Sequence, residues 1–180
     1  DEVARADQVV MIQCVGSRNE ERPYCSRTCC ATAVKNALKI KELNPNAKIS
    51  ILYRDMRTYG LLESYYAKAR NVGIMFIKYE PEEKPQVKKD GEILSVSFMD
   101  RILKEEMELK PDLLVLSTAT IPRENEELAT MLKVPRTAEG FFLEAHMKLR
   151  PVDFATDGLY LAGGGHGPKL ISESISQASA

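Results

Sequence analysis

The cysteines constrain this chain more than any other feature, because all four of them lie between residues 14 and 30. A secreted domain that relies on disulfide bonds normally spreads its cysteines along the chain, so that they connect distant loops. The crowding of these thiols instead favours a metal or cofactor site in a cytoplasmic protein. We therefore take Cys14, Cys25, Cys29 and Cys30 as candidate metal ligands.

The spacing of the cysteines bears on which metal they could bind. Ten residues separate Cys14 from Cys25 and three separate Cys25 from Cys29, while Cys30 is adjacent to Cys29. Structural zinc sites usually contain paired knuckles with roughly two to four residues between ligands, and a second knuckle is absent from this sequence. A long gap followed by a vicinal pair suits the separate corners of an iron-sulfur cluster better. Zinc, thiol-disulfide exchange and metal-free thiols stay open as alternatives from spacing alone.

The first half of the chain alternates between strand and helix patterns. Strands are predicted for residues 9–15, 49–55 and 73–80, which are short apolar or β-branched runs. Helices are predicted between them for residues 28–43 and 61–71. This order predicts an α/β fold with a parallel, Rossmann-like sheet, and it places the vicinal cysteine pair at the positive end of a helix.

The remaining residues show a less regular pattern. The charged segment 81–92 contains two prolines and is predicted to be a solvated loop. Alternating apolar residues at 94–98 and 107–109 predict a β-hairpin, and residues 112–119 predict another buried strand. Further predictions are a short helix within 124–134, a strand at 157–164 and a closing helix at 167–180 with Pro168 near its first turn. The chain beyond about residue 118 is therefore expected to begin a different packing unit.

Charge and hydropathy exclude two classes of function. The chain has 25 Lys and Arg residues against 26 Asp and Glu residues, so it lacks the basic surplus that nucleic acid would attract. Its longest apolar runs, at residues 9–12 and 113–116, are far shorter than the roughly 20 residues that cross a bilayer. We expect no nucleic-acid partner and no membrane span. Because the sequence begins at Asp1 without a signal segment and ends abruptly, we also expect a cytoplasmic fragment of a longer protein.

Several long motifs resemble one family, in the right order along the chain. They are residues 13–30 (QCVGSRNEERPYCSRTCC), 52–60 (LYRDMRTYG), 140–163 and 167–180. Together they resemble the A subunit of heterodisulfide reductase and its relatives over nearly the whole chain. The resemblance implies a thioredoxin-reductase-like flavoprotein core that carries FAD and 4Fe-4S clusters and passes electrons between them. It also implies other heterodisulfide reductase subunits and an electron-donating hydrogenase or dehydrogenase as partners, in methanogens and other anaerobes.

The resemblance implies a division into two domains as well. Residues 1–117 would correspond to the pyridine-nucleotide domain of thioredoxin reductase, with Cys14, Cys25, Cys29 and Cys30 as ligands of a 4Fe-4S cluster. The turn after the first strand reads CVGSR, with one glycine, where a nicotinamide-binding unit places G-x-G-x-x-G. This argues against NAD(P)H binding and predicts a cluster in place of the dinucleotide. Residues 118–180 would form the C-terminal part of an FAD-binding domain whose N-terminal fingerprint is missing.

The same resemblance implies residues that contact FAD. They are Lys35 on the helix after the cysteines, Thr118 and Ala119 where the chain returns to the FAD domain, the glycines Gly163, Gly164 and Gly165, and Lys169. Gly164 stands where much of the superfamily has an aspartate that binds the ribityl chain, so that hydrogen bond is not carried over. His166 is a candidate flavin neighbour, and His146 is expected to be structural.

Two interpretations of function are carried forward. The leading one is electron transfer between FAD and a cluster, without a nucleophilic catalytic residue, with Arg18, Arg22 and Arg27 offsetting the charge of the cluster. The alternative is a zinc-stabilised or cofactor-free module that docks partner reductase subunits. An isolated fragment is expected to be inactive, to bind FAD weakly and to expose an apolar face that favours a homodimer.

Overall fold

The computed structural model describes residues 2–180, which form two compact units. The first unit contains the chain up to Gly16 together with Cys29–Thr118, and the second contains Ser17–Thr28 together with Ala119–Ala180. The division into a cluster-bearing lobe and part of an FAD-binding domain stays a prediction. Among the described residues, no helix combines the length and the apolar character needed to cross a bilayer.

The first unit contains a parallel sheet and a smaller antiparallel sheet. Its elements in chain order are α1 (Glu2–Arg5), β1 (Gln8–Val15), α2 (Cys29–Leu43), β2 (Lys48–Tyr53), α3 (Glu63–Asn71), β3 (Met75–Lys78), β4 (Gln86–Asp90), β5 (Ile93–Asp100), β6 (Glu105–Leu109) and β7 (Leu113–Thr118). A short 3-10 turn, Gly60–Leu62, leads into α3. The larger sheet has the order β3-β2-β1-β7, and each neighbouring pair is parallel.

The core of the first unit lies on both faces of the parallel sheet. Alternate residues of β1, such as Met11, pack on one side with Val34 and Ala37 of α2. The intervening residues, such as Ile12, pack on the other side with Val96 and Phe98 of β5. Because both faces of β1 and β2 are covered, their sequences are continuous apolar runs, as expected for central parallel strands.

The antiparallel sheet corrects one prediction from the sequence. Residues 93–100 and 105–109 pair as the predicted hairpin, but residues 86–90, within the segment predicted to be a loop, form a third strand, β4. Every residue of β4 is exposed, so no apolar alternation marks it. β4 is a strand because it pairs with β5 across a two-residue turn. Gly91 in this turn has φ +61°. An Asp-Gly pair before a β-branched run is a hairpin signal that the charge pattern obscured.

The second unit has fewer regular elements than the sequence predicts. It contains α4 (Glu126–Leu132), a 3-10 turn at Gly163–Gly165 and α5 (Ile171–Ser179). A small core forms from Ala129, Val134, Phe154 and Leu161.

The strand predicted at residues 157–164 is wrong. Within the described chain this segment pairs only through a single bridge between Asp153 and Tyr160. Gly158 and Gly163 both have φ above +70°, which interrupts the extended backbone that a ladder needs. The closing helix was also predicted to start too early, because Pro168 lies before α5 rather than in its first turn.

Candidate cofactor site

The carboxyl end of β1 is distorted at Cys14. The register between β1 and β7 shifts between Ile12 and Val15, and Cys14 has a left-handed backbone with φ +61°. A β-bulge of this kind bends the strand and changes the direction of a side chain. A left-handed conformation is also costly for a residue with a Cβ atom. The strand thus ends in a strained turn that carries a buried thiol.

This strand end lies at the point of the sheet where ligands usually bind. β1 is hydrogen-bonded to β2 on one side and to β7 on the other, so the chain order reverses beside β1. In open parallel sheets, ligands bind outside the carboxyl ends of the strands at such a reversal. A Rossmann domain holds its pyrophosphate there with glycines. In this chain the same strand end presents Cys14.

The vicinal cysteines are the first two residues of α2. Cys29 is half-buried, and Cys30 is 2% exposed. The Cys30 thiol donates a weak hydrogen bond to the backbone carbonyl of Asp55, with 3.7 Å between Sγ and O. The first turn of α2 carries no acidic side chain, so the positive end of the helix dipole is not offset there. The start of α2 therefore suits sulfur ligands that carry negative charge.

Cys25 lies in the 17–28 segment of the second unit. Its Sγ accepts a hydrogen bond from the backbone N-H of Arg27 at 3.3 Å. Two hydrogen bonds to Thr120 anchor the segment within its unit. The Tyr24 hydroxyl donates to the Thr120 carbonyl, and the Thr120 N-H donates to Ser26 Oγ, both at 3.0 Å. An N-H donor on sulfur is one of the features by which proteins tune iron-sulfur clusters.

The donor set fits an iron-sulfur cluster chemically. In the described chain none of the four cysteines forms a disulfide. Residues 2–180 contain no group of three or more His, Cys, Asp or Glu side chains gathered to hold a metal ion. Soft thiolates select zinc, copper(I) or iron-sulfur centres. A single zinc ion needs all of its sulfur ligands about 2.3 Å away in a tetrahedron, whereas a cluster takes each sulfur at a separate iron corner.

Gln13 is a residue that the sequence patterns did not single out. Its side chain is completely buried, and among the described residues neither its Nε2 nor its Oε1 has a hydrogen-bond partner. Its backbone carbonyl, in contrast, accepts a hydrogen bond from the Tyr79 hydroxyl at 2.6 Å. A buried amide without partners is costly. Gln13 precedes Cys14 in β1, so a buried amide with unused hydrogen-bonding capacity lies one residue before a candidate ligand.

The predicted FAD contacts Lys35, Thr118 and Ala119 lie in different places. Lys35 is exposed on α2, away from the buried face formed by residues such as Val34 and Ala37. Thr118 is the last residue of β7 and is exposed, whereas Ala119 is half-buried and begins the longer segment of the second unit. Their proposed contacts with FAD stay predictions.

The glycines of the second unit form a defined turn. The backbone N-H of Gly163 donates to Gln177 Oε1 at 3.0 Å, and its carbonyl accepts the N-H of His166 at 3.1 Å. Gly163 has φ +74°, and an added Cβ would meet only ordinary contacts with Ser174, so its conformation rather than space favours glycine. Gly164 and Gly165 are exposed. The turn therefore presents backbone close to the surface, as a cofactor-binding turn would.

Lys169 lies in a group of charges before α5. The Arg27 guanidinium contacts Glu173 at 2.5 Å and donates to the Pro168 carbonyl at 3.3 Å. Burial lowers the pKa of Lys169, and the Arg27 charge adds to this effect. The pKa of Glu173 is lowered because its carboxylate accepts the Leu170 N-H and pairs with Arg27. Arg27, predicted to offset cluster charge, thus has an anionic partner within its own unit.

Glu173 is expected to make stability depend on pH. The pKa of Glu173 is lower in the folded chain than the ordinary value of about 4.3. The ionised carboxylate therefore stabilises the fold above that ordinary value, and this stabilisation is lost as the pH falls through the lowered pKa. Glu173→Gln should be less stable at pH 7 by at most about 1 kcal/mol, because the pair is about one-third exposed. The difference in the free energy of unfolding between the two proteins should be smaller at pH 3. Urea unfolding at both pH values measures it, with exposed Glu127→Gln as control, and a difference that does not change with pH contradicts the assignment.

The left-handed backbone at Cys14 is expected to favour glycine over alanine at this position. In the metal-free chain, Cys14→Gly should be more stable than Cys14→Ala by about 1 kcal/mol, because only glycine adopts φ +61° without strain. Cys25, which lacks a left-handed backbone, is the matched control, since there alanine should be at least as stable as glycine. Equal stability of the two Cys14 variants, measured by thermal unfolding, would show that the bulge is not strained.

The two histidines differ in their surroundings. His146 is exposed, and its Nδ1 accepts the N-H groups of Lys148 and Leu149, each at 3.2 Å, so its structural role stays a prediction. His166 contacts Glu144 and Gln177 instead. Neither contact could be predicted from the sequence, because both partners lie more than ten residues away and no spacing pattern links them to His166.

Comparison with solved structures shows a thioredoxin-reductase-like fold. The thioredoxin reductase of T. acidophilum matches with a TM-score of 0.58 at 18% identity, over 94% of this chain and 48% of that one. The HOCl-induced flavoprotein disulfide reductase RclA of Escherichia coli matches with a TM-score of 0.60 at 11% identity, over 97% of this chain and 35% of that one. The α/β class predicted from the sequence is confirmed.

Comparison with curated proteins confirms the family resemblance. No protein-family model matches the chain. An iron-sulfur A subunit of the CoB-CoM heterodisulfide reductase of Methanopyrus kandleri is 42% identical over 96% of this chain and 27% of its own length. The A subunit of the ferredoxin:CoB-CoM heterodisulfide reductase of Methanosarcina acetivorans is 38% identical over 95% of this chain and 22% of its own length. Over nearly its whole length the chain is therefore similar to one segment of heterodisulfide reductase A subunits, and it spans about a quarter of the length of the curated relatives it matches.

Proposed function

We propose that the chain is part of an oxidoreductase complex and passes electrons between FAD and a 4Fe-4S cluster. The relatives are heterodisulfide reductase subunits, and the solved neighbours that share the fold include flavoprotein reductases. The observation that carries the proposal is the placement of Cys14 at the carboxyl end of β1, in a unit whose α2 begins with Cys29 and Cys30. A dinucleotide would need glycines at that strand end.

Cys14, Cys25, Cys29 and Cys30 would hold the cluster, on the strength of their chemistry and spacing. The cluster would supply a one-electron carrier whose potential depends on hydrogen bonds and charge near its sulfurs. The Arg27 N-H that reaches Cys25 Sγ and the positive end of α2 at Cys29 both stabilise negative charge on sulfur. The buried amide of Gln13 adds a donor with no protein partner among the described residues.

The glycine turn, Gly163–Gly165, and Lys169 would contribute to the FAD site. The turn is half-buried to exposed, and Lys169 is half-buried before α5 with a lowered pKa. Lys35, Thr118 and Ala119 are included on the resemblance alone. The partners we propose are other heterodisulfide reductase subunits and an electron-donating hydrogenase or dehydrogenase in the cytoplasm. The relative in Methanococcus maripaludis, for example, has a name that includes H2 and formate.

Metal and sulfide analysis of anaerobically prepared chain tests the proposal. After reconstitution with ferrous iron and sulfide, we expect about four iron and four sulfide per chain. Dithionite reduction should give an electron paramagnetic resonance signal that disappears on reoxidation. A colourless protein with one zinc per chain would instead support the alternative, a zinc-stabilised module that docks partner subunits. Protein without any metal after reconstitution would contradict the cluster and would support the cofactor-free form of that module.

A further inference from the structure

Four residues of the second unit form a continuous hydrogen-bonded chain. Glu144 Oε2 lies 2.7 Å from His166 Nε2, and Gln177 Nε2 lies 2.6 Å from His166 Nδ1. Gln177 Oε1 in turn accepts the backbone N-H of Gly163 at 3.0 Å. The side chains of His166 and Glu144 are only 18% and 11% exposed. This series of hydrogen bonds thus connects a largely buried carboxylate to the first residue of the glycine turn.

The Gly163 end of the chain determines how the Gln177 amide is oriented. A backbone N-H can only donate, so the Gln177 atom facing it must be the oxygen. The other amide atom, which faces His166 Nδ1, is then the nitrogen, and it can only donate. His166 Nδ1 must therefore be an acceptor without a proton. The neutral ring carries its proton on Nε2, where it donates to the Glu144 carboxylate.

His166 and Gln177 both bind the backbone of Gly163, the first residue of the glycine turn. The N-H of His166 closes the turn on the carbonyl of Gly163, and Gln177 binds the N-H of that glycine. A second proton on His166 would have to go to Nδ1, where the Gln177 nitrogen now donates. Accepting that proton requires the Gln177 amide to turn over or leave, and either movement takes its oxygen away from Gly163.

We propose that Gln177 is a positioning residue that couples the proton state of His166 to the conformation of the turn Gly163–Gly165. Neutral His166 with its proton on Nε2 holds the turn, and protonation at Nδ1 releases the N-H of Gly163. The bearing of this coupling on FAD rests on the proposed function. If the turn binds FAD, proton uptake at His166 and the position of the cofactor are linked.

Charged and polar groups face both nitrogens of His166. Glu144 contacts Nε2, and the Gln177 amide contacts Nδ1. Lys169 contributes to the lowered pKa of Glu144, after that residue's own backbone hydrogen bond and His166. Arg27 and Glu173 act on Lys169 with opposite signs. Gln177 is thus the residue whose replacement directly changes the hydrogen-bonding partner of His166 Nδ1.

Two replacements of Gln177 separate its two contacts. Gln177→Glu keeps an acceptor for Gly163 but offers only an acceptor to His166 Nδ1, so the ring should gain its second proton at a pH higher by about one unit or more. Gln177→Leu removes both contacts, so the Gly163 amide should exchange with solvent roughly fivefold faster. Ser176→Glu adds the same charge at an exposed position of α5 and is the matched control.

Nitrogen-15 spectra of the histidine rings and amide exchange of the cofactor-free chain give the readouts. His146, the other histidine, is an internal reference, because its ring should not respond to any of the variants. In the unmodified chain at pH 8, we expect the His166 proton on Nε2. A proton on Nδ1 there, or the same titration midpoint in Gln177→Glu and Ser176→Glu, would overturn the coupling. These readouts need neither FAD nor a cluster, so failure of the chain to take up iron and sulfide would count against the proposed function without touching this result.

Discussion

Replacing Cys30 by serine is expected to lower the iron content of reconstituted chain from about four atoms to less than about one per molecule. Cys30 is 2% exposed at the start of α2, and serine lacks the soft sulfur that iron-sulfur clusters require. Iron and sulfide analysis under anaerobic conditions measures the loss. Thr32→Ser, at an exposed position on the same helix, should retain the full iron content.

The stability of the cofactor-free proteins distinguishes a lost ligand from a lost fold. Serine is close in size to cysteine, so Cys30→Ser without metal should unfold within about 1 kcal/mol of the parent chain. A variant that is folded and still binds four irons would remove Cys30 from the ligand set. A variant that is unfolded would make Cys29→Ser, at a half-buried position, the decisive test of the vicinal pair.

Ile51→Ala is expected to lower the free energy of unfolding by about 2–5 kcal/mol. Ile51 is 0% exposed in the middle of β2, where it pairs with Met11 of β1 and Phe76 of β3. Truncation removes buried methyl groups and leaves a cavity, because a central parallel strand cannot move to fill it. Urea unfolding measures the difference.

Ile102 provides the matched control for this core substitution. It is 91% exposed beyond β5, so Ile102→Ala should change stability by less than about 0.5 kcal/mol. Equal effects of the two substitutions would show that the parallel sheet does not hold the first unit together. A large loss confined to Ile51→Ala would support the packing described for β1 and β2.

The parallel sheet could be predicted because its central strands are buried on both faces. Burial leaves a continuous apolar run such as that of β1, and the proline-bounded helix after it shows a helical period. β4 could not be predicted in this way, since all of its residues are exposed and only pairing with β5 makes it a strand. The reverse holds for residues 157–164, which have a strand-like pattern but pair only at one bridge among the described residues.

The candidate ligands could be found from the sequence because cysteine is rare and their crowding is visible without any structure. Gln13 could not be found, since its significance depends on burial without a hydrogen-bond partner. The chain of contacts from Glu144 to Gly163 was equally invisible, because its members belong to separate segments and their sequence separations carry no pattern.

The amino-acid sequence by itself therefore predicted the four candidate thiol ligands, the α/β order and the family resemblance, since residue type and periodicity are local properties. Tertiary structure alone decided where the donors stand and which polar groups meet. The left-handed backbone of Cys14 arises from the register shift between β1 and β7, whose residues lie about a hundred positions apart. The Gln177 amide is likewise oriented by a glycine N-H that only the folded chain brings within reach.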